Sequence, residues 1–312
     1  MASAADALDN PSGPILALFP GLAAATVGMA RPFAASSAAR RVFEEFSDHS
    51  GIDVFDLAHD ADDATVRADR HWELATVATE AAAWAAFRER RGQADGALGF
   101  SIGAYAALLC ADVTSIAQTV AMIDTVLEGC RLLAGGPFAM AAVSGVATSV
   151  AAAAAEAAGA ALAAVITPAQ TLLAGPQPAV ARAVDALSSR ALRVRTLDVR
   201  WPLHTAWMGP VRERLAAARA GLGGFREPTR AVYSALHGHR LSTTGECWEL
   251  LTGHLTALQR FDVAFAAARV DGFARCVELG PGGTLAAAVR WLARDEVTVS
   301  GFRIDSGGET GC

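Results

Sequence analysis

Residues 95–110 read DGALGFSIGAYAALLC, a short apolar strand that leads through a tight turn into the start of a helix. Within this stretch, Gly99 to Gly103 match the pattern G-x-S-x-G, in which a serine occupies a strained turn between a strand and a helix. Glycines are required there because larger side chains would collide with the neighbouring strand and helix. The turn exposes the hydroxyl of Ser101 and directs the backbone N–H of Ile102 towards a developing oxyanion. This context predicts a catalytic serine, and the alternative is a merely tight glycine-rich turn.

A serine nucleophile requires a general base, and His204 is the best candidate among the seven histidines. It lies in WPLHTAWM, residues 201–208, between a predicted strand and a predicted helix. Catalytic groups are common in loops of this kind. The alternative is a surface or core histidine without a catalytic role.

The composition narrows the class of protein and its partners. Hydrophobic residues make up 53% of the 312 residues, enough for one large domain or two smaller ones. The net charge is −6 and the basic residues are scattered, which argues against nucleic acid as a partner. The apolar runs are short and broken and the N-terminus lacks a secretory signal, so we expect a cytoplasmic protein without a membrane partner. The five cysteines lack metal-binding spacing, so no metal site is predicted.

The middle of the chain predicts a compact insert in a larger α/β domain. After a shift in composition at Gly135-Gly136, the patterns predict strand, helix, strand, strand, helix and strand at 138–143, 147–158, 160–166, 171–174, 179–188 and 194–199. This order is ferredoxin-like. The predicted divisions are a disordered N-terminus (1–13), a large domain (14–133 and 200–312) and a small subdomain (134–199). Elsewhere we predict strands at 14–19, 231–234 and 276–279, and helices at 206–220, 246–269 and 284–293.

Several segments, in order along the chain, resemble motifs of the malonyl-CoA:acyl carrier protein transacylase family, which includes the acyltransferase domains of polyketide synthases. The matching segments are FPG (19–21), VGM (27–29), GFSIGAYAAL (99–108), FAMAAV (138–143), PAQ (168–170), AG (174–175), WPLHTAWM (201–208), LLTGHLTALQRF (250–261) and VELGPG (277–282). They extend from residue 15 to about residue 295, and together they are highly specific.

The resemblance implies an α/β-hydrolase-like large domain with a ferredoxin-like insert. It also implies two-step acyl transfer, in which Ser101 is the nucleophile, His204 is the base, and the backbone N–H groups of Leu22 and Ile102 form the oxyanion hole. No cofactor is expected to be bound. The expected substrate is a phosphopantetheine thioester of CoA or of an acyl carrier protein, and the expected partner is the carrier protein. We expect a role in polyketide or related secondary metabolism, such as antibiotic biosynthesis.

The departures from the family lie at positions that are expected to bind the acyl group. Val126 aligns with the arginine that pairs with the malonyl carboxylate, and Arg131 lies about 140° further round the helix. A carboxylate against Val126 would lose a charge-assisted pair and its hydration, at a cost of several kcal/mol. Phe100 and His254 replace a family histidine and glutamine. The residues predicted to contact the acyl group are Phe100, Val126, Trp201, Leu203 and His254.

We therefore expect an uncharged acyl group, such as an alkyl, fatty or aminoacyl chain. Three alternatives stay open. A one-turn misalignment would restore the arginine, water could replace the carrier thiol and make the enzyme a thioester hydrolase, or the chain could be an inactive relative that serves as a partner.

Carrier proteins are usually acidic, so a basic rim near the cleft is expected. The candidates are Arg190, Arg193 and Arg195 on the insert and Arg260 on the large domain. The alternative for each is an ordinary solvated arginine.

Overall fold

The described residues of the computed structural model are 13–68, 70–133, 136–302, 304–305 and 308–309. Their strands are β1 (Ile15–Phe19), β2 (Gly96–Gly99), β3 (Phe138–Ser144), β4 (Ala161–Thr167), β5 (Gln170–Pro176), β6 (Arg193–Leu197), β7 (Ala231–Ser234), β8 (Arg240–Leu241), β9 (Gln259–Arg260), β10 (Arg275–Glu278), β11 (Thr298–Gly301), β12 (Ile304–Asp305) and β13 (Gly308–Glu309). Their helices are α1 (Ser37–Ser50), α2 (Val54–His59), α3 (Asp63–Val66), α4 (His71–Arg91), α5 (Gly103–Cys110), α6 (Ile116–Arg131), α7 (Thr148–Ala158), α8 (Gln177–Ser188), α9 (Gly209–Leu222), α10 (Thr244–Gly253), α11 (Phe261–Val270) and α12 (Thr284–Ala293).

The larger sheet has the strand order β11-β10-β1-β2-β7-β8, and all its neighbours are parallel except β7 and β8. Its central strands are apolar along their whole length because both faces are covered, as is typical of parallel sheets. Phe19 at the end of β1 pairs with Gly99 at the end of β2. The loops that follow these two strands therefore meet at the carboxyl edge of the sheet, where α/β folds commonly bind ligands.

The two faces of this sheet belong to different hydrophobic clusters. Ala17, Phe19 and Ala97 face one cluster, whereas Leu16 and Leu98 face the other. This division follows from the alternation of side chains along a strand. The first cluster includes buried apolar residues of α4 and α6, and the second extends into the smaller sheet.

The smaller sheet has the order β6-β3-β5-β4-β9, and β3 to β6 pair antiparallel. Helices α7 and α8 cover one face, where Ala141, Val143 and Leu173 pack against Ala151 and Ala183. The succession of β3, α7, β4, β5, α8 and β6 is the ferredoxin-like order expected from the sequence. The mixed α/β architecture is confirmed.

The domain boundaries stay predictions, and so does disorder of the N-terminus, since residues 1–12 lie outside the described residues. Within the described ranges, none of the helices combines the length and the apolarity that a bilayer crossing requires.

One predicted element is wrong. The single helix expected at 246–269 is two helices, because α10 ends at Gly253 and α11 begins at Phe261. Between them, Gln259 and Arg260 form β9 and pair in parallel with Ala164 and Val165 of β4. The edge of the smaller sheet offers backbone partners there, and this tertiary pairing overrides the helical pattern. The break has a functional consequence, because it leaves the His254 carbonyl outside a helix.

Candidate active site

Ser101 occupies the turn between β2 and α5 with a backbone φ of 58°, a left-handed conformation that is uncommon for a residue other than glycine. The flanking glycines allow this turn because at both positions neighbouring backbone atoms lie too close to leave room for a side chain. A Cβ on Gly99 would lie 2.2 Å from the Gly103 carbonyl oxygen, and a Cβ on Gly103 would lie 2.2 Å from that of Phe19. The strand, the turn and the helix therefore hold Ser101 at the carboxyl edge of the larger sheet, as the pattern predicts.

His204 lies in the loop after β6, and its Nε2 is 2.9 Å from Oγ of Ser101. The ring is 3% exposed, and the backbone adopts a φ of 64°. The His204 backbone N–H donates to the Leu255 carbonyl at 2.8 Å, which holds the loop against the segment that follows α10. The two residues predicted as nucleophile and base are thus in hydrogen-bond contact.

The His254 backbone carbonyl fixes the tautomer of His204. Nδ1 of His204 lies 2.5 Å from this oxygen, and a carbonyl oxygen can only accept, so Nδ1 carries the proton. Nε2 is therefore the acceptor for the Ser101 hydroxyl. Burial lowers the pKa of His204 to about 4, although the bond to the carbonyl acts in the opposite direction. The ring is neutral at physiological pH and able to take a proton.

The structure brings together the two residues whose backbone N–H groups are predicted, from the resemblance, to form the oxyanion hole. Leu22 begins a 3-10 turn after β1, Ile102 precedes α5, and both line the same cavity as Ser101. In the part of the chain that the structure describes, neither backbone N–H has a hydrogen-bond partner. Both can therefore donate to an oxygen that develops negative charge on a carbon attached to Ser101.

Glu80 supports the turn that presents Leu22. The backbone N–H of Gly21 donates to Oε1 of Glu80 at 2.7 Å, and Glu80 is fully buried within α4. Burial raises the pKa of this carboxyl well above its usual range, and nearby Glu278 adds to the rise. Glu80 was not found by the sequence analysis. Its signal was a single acidic residue among the alanines of an apolar helix.

A cleft opens beside Ser101 and His204, and the empty space within it, including space open to solvent, is about 560 Å³. Its walls are mainly apolar and include Val126, Trp201 and Leu203, as predicted. Besides Ser101 and His204, the wall includes the polar side chains of Glu73, Tyr105 and His254. Arginine does not occur among the lining residues of the described chain. The sequence analysis did not identify Glu73.

The prediction that Phe100 contacts the acyl group is wrong. Its side chain is 3% exposed, lies in the second hydrophobic cluster and packs edge-on against Phe261, with the ring centroids 6.1 Å apart. The cause is the alternation of side chains at the end of β2. Because Ser101 points into the cavity, its neighbour points to the opposite face of the sheet.

The four arginines predicted for carrier docking do not form one rim. Arg190, Arg193 and Arg195 are exposed near β6, and Arg195 lines a depression that shares Leu22 with the cavity. Arg260 lies on β9 at the opposite edge of the smaller sheet, four strand spacings or roughly 19 Å away. It also forms a bidentate pair with Asp262, at 2.8 Å for each bond. Nearer the mouth lie Arg67 and Arg200, which the sequence analysis missed.

Comparisons with known proteins agree with this geometry. Residues 18–300 match the family model described as acyl transferase domain. The chain is 29% identical over 309 residues to erythronolide synthase EryA3 of Saccharopolyspora erythraea, covering 96% of this chain and 9% of the synthase. It is 28% identical over 294 residues to the malonyl CoA-acyl carrier protein transacylase of Escherichia coli K12, covering 91% of this chain and 94% of the transacylase.

The fold matches that of a malonyl-transacylase solved with its type II polyketide synthase acyl-carrier protein, PlMCAT:AntF. The TM-score is 0.87 at 23% identity, and the match covers 94% of this chain and 97% of that chain. The chain spans only about a tenth of the length of the polyketide synthases among its curated relatives. The family match covers most of the sequence, and the chain belongs to the acyl transferase domain family.

Proposed function

We propose that this chain is an acyltransferase that carries an acyl group on Ser101 and passes it to the thiol of an acyl carrier protein. The observation that carries the proposal is the contact of 2.9 Å between Ser101 Oγ and His204 Nε2. Leu22 and Ile102 line the same cavity, and among the described residues their backbone N–H groups have no hydrogen-bond partner. These are the parts that acyl transfer through an ester intermediate requires.

In the first half-reaction, Oγ of Ser101 attacks the thioester carbonyl carbon while its proton passes to Nε2 of His204. The oxyanion accepts from the N–H groups of Leu22 and Ile102, and the His254 carbonyl stabilises the positive charge on the imidazole. Collapse of the intermediate breaks the C–S bond, and the leaving thiolate takes the proton from Nε2. In the second half-reaction, the carrier thiol gives its proton to Nε2 and attacks the ester, and Ser101 recovers the proton.

The acyl group is proposed to lack a free carboxylate. A malonyl carboxylate in the cavity would lie among apolar side chains such as Val126, with Glu73 on the same wall. It would lose hydration without a charge-assisted partner and would be repelled by a like charge. The names of the transacylase relatives specify malonyl, so this proposal separates the chain from them.

The partner is proposed to be an acyl carrier protein, acting in polyketide-type secondary metabolism. The polyketide synthase relatives and the carrier complex of the malonyl-transacylase support this. The docking residue is proposed to be Arg195, which is exposed beside the mouth of the cavity. Arg195→Glu should raise the KM for the carrier about tenfold. Arg182→Glu, on the helix-covered face of the smaller sheet, is the matched control and should leave it unchanged.

The test is intact-mass detection of an acyl adduct on Ser101. The protein is incubated with butyryl, octanoyl, aminoacyl and malonyl thioesters of CoA, with and without a recipient carrier protein. We expect adducts with uncharged chains, none in Ser101→Ala, and loss of the adduct only when the carrier is added. A stable malonyl adduct alone would refute the acyl specificity. Rapid release without carrier would identify a hydrolase instead, and no adduct with any thioester would refute the enzymatic function.

A further inference from the structure

We infer that the cavity selects an acyl chain that carries a hydrogen-bond donor, either a hydroxyl or an amine, through Nε2 of His254. This inference rests on the proposed function, because it concerns the acyl group that Ser101 would carry. It assigns a role to the side chain of His254, which is separate from the role of its backbone carbonyl.

The tautomer of His254 is fixed by its neighbours. Nδ1 lies 2.9 Å from the Leu250 carbonyl oxygen, one turn back along α10, and a carbonyl oxygen can only accept. Nδ1 therefore carries the proton and Nε2 carries a lone pair. Burial, with nearby His204 as a second cause, lowers the pKa of His254 to about 3, so the ring stays neutral at physiological pH. Nε2 is therefore an acceptor at physiological pH.

Among the described residues, the hydrogen bond of the His254 side chain is the one through Nδ1. His254 is 4% exposed and lines the cavity together with Ser101 and His204. Nε2 is the only polar atom of its side chain that is not already engaged in a hydrogen bond. Nε2 is not among the side-chain atoms that are closed off from solvent without a partner, so water in the cavity can reach it, and an acyl chain that displaces this water has to replace its hydrogen bond.

The position of the ring defines which part of the acyl chain it would meet. Its centroid is 5.9 Å from that of His204, and its plane is edge-on to Tyr105 at 6.0 Å. These contacts hold the imidazole beside the reacting carbonyl. The donor is therefore expected within the first few carbons of the acyl chain.

An acceptor in the cavity wall favours acyl chains that carry a hydrogen-bond donor over chains that do not. An alkyl chain would cover Nε2 and leave the lone pair unsatisfied, whereas a hydroxyl or N–H would donate to it. An ionised carboxylate has only acceptor oxygens and would oppose it. Sites built to hydrogen-bond a substrate hydroxyl or amine reject analogues that lack the group much more strongly than apolar pockets reject an extra methylene.

Hydroxyl and amine share this chemistry, and Glu73 distinguishes them. Its carboxylate lines the same cavity, and a protonated amine would be attracted to it in addition to donating to His254. A hydroxyl gains only the hydrogen bond. Glu73→Gln should therefore reduce the preference for an amine and leave the preference for a hydroxyl in place.

The experiment measures single-turnover acylation of Ser101 with CoA thioesters of butyrate and of its 3- and 4-hydroxy and 3- and 4-amino derivatives. The quantity compared is the ratio of kcat/KM for each derivative to that for butyrate. In the wild type we expect a ratio of at least ten at one position, which corresponds to about 1.4 kcal/mol. In His254→Phe, which keeps the backbone carbonyl, the ratio should fall to near one. His254→Gln keeps a side-chain acceptor and should retain part of it.

Ratios within twofold of one at every position in the wild type would overturn the inference, and this measurement does not depend on any variant. A large ratio that persists in His254→Phe would also overturn it, because another group would then be the acceptor. An adduct with butyrate and flat ratios would leave the proposed function standing. Absence of every adduct would refute the proposed function and the inference with it.

Discussion

Replacing Val126 with arginine should give this protein the ability to take a malonyl group. Val126 is half-buried on the wall of the cavity beside Ser101, on the helix α6. An arginine there would present a planar fork of donors, which matches a carboxylate in a bidentate pair. The lining residues of the described chain include no other arginine that could do this.

The magnitude follows from the balance of three effects. Two hydrogen bonds to a charged group contribute about 3–6 kcal/mol, and ordering the long side chain costs about 2 kcal/mol. The net gain is then about 1–4 kcal/mol, or roughly 5- to 900-fold in malonyl acylation relative to butyryl acylation. Glu73 lines the same cavity and would compete for the new guanidinium, so the single variant should lie at the low end. Adding Glu73→Gln should move the ratio towards the high end.

The assay is the rate of adduct formation on Ser101 with malonyl-CoA and butyryl-CoA, compared as a ratio in each variant. Val126→Met is the matched control, since it lengthens the side chain without adding charge, and it should not raise the malonyl ratio. The reasoning fails if a folded Val126→Arg still forms the butyryl adduct but shows no gain with malonyl. It also fails if Val126→Met raises the malonyl ratio equally.

Three further outcomes are expected. Glu80→Leu removes the acceptor of the Gly21 N–H and should slow acylation at least tenfold with little change in KM. Glu80→Gln keeps an acceptor and should keep most of the rate. An equal loss of rate in both variants would contradict the role of Glu80 in holding the turn at Gly21. Acylation needs a neutral His204, so the rate of acylation should be constant from about pH 8 to about pH 5 and fall to half near pH 4. A midpoint near 6.5, the ordinary pKa of histidine, would show that burial does not lower the pKa of His204. Gly103→Ala places a Cβ 2.2 Å from a carbonyl oxygen of β1, so it should lower the free energy of unfolding by about 2–3 kcal/mol, measured by thermal unfolding. Gly245→Ala, whose Cβ would meet nothing closer than 3.6 Å, is the control and should not lower it. Equal melting temperatures of the two variants would argue against the close approach at Gly103.

The sequence predicted the turn and the loop that bring Ser101 and His204 together because their requirements are local. The turn at Ser101 needs two small residues at fixed spacing, and the loop at His204 follows a recognisable strand. Phe100 shows the limit of this reasoning. Alternation along β2 would have placed Phe100 and Ser101 on opposite faces, but the sheet is covered on both sides, so the apolar pattern did not indicate which face held the cavity.

Features that depend on distant segments were not predictable in the same way. The break at residues 254–260 exists because β4 accepts a fifth strand, and nothing in the helical pattern of 246–269 signals that partner. The arginines show the same limit. Arg195 and Arg260 are both basic residues on strands, and only the strand order reveals that they occupy opposite edges of the sheet.

The proposed mechanism uses backbone groups, rather than side chains, for the oxyanion hole and for the orientation of His204. In that mechanism Leu22 and Ile102 each supply an N–H, and the carbonyl oxygen of His254 accepts from Nδ1 of His204. A backbone group is present whatever the side chain, so substitution at Leu22 or His254 leaves the oxyanion hole and the base intact. The side chains at these positions face the cavity that would hold the acyl group. Acyl specificity can therefore change at these positions without loss of acyl transfer. We expect a change of substrate to depend on these side chains together with those of Val126 and Glu73.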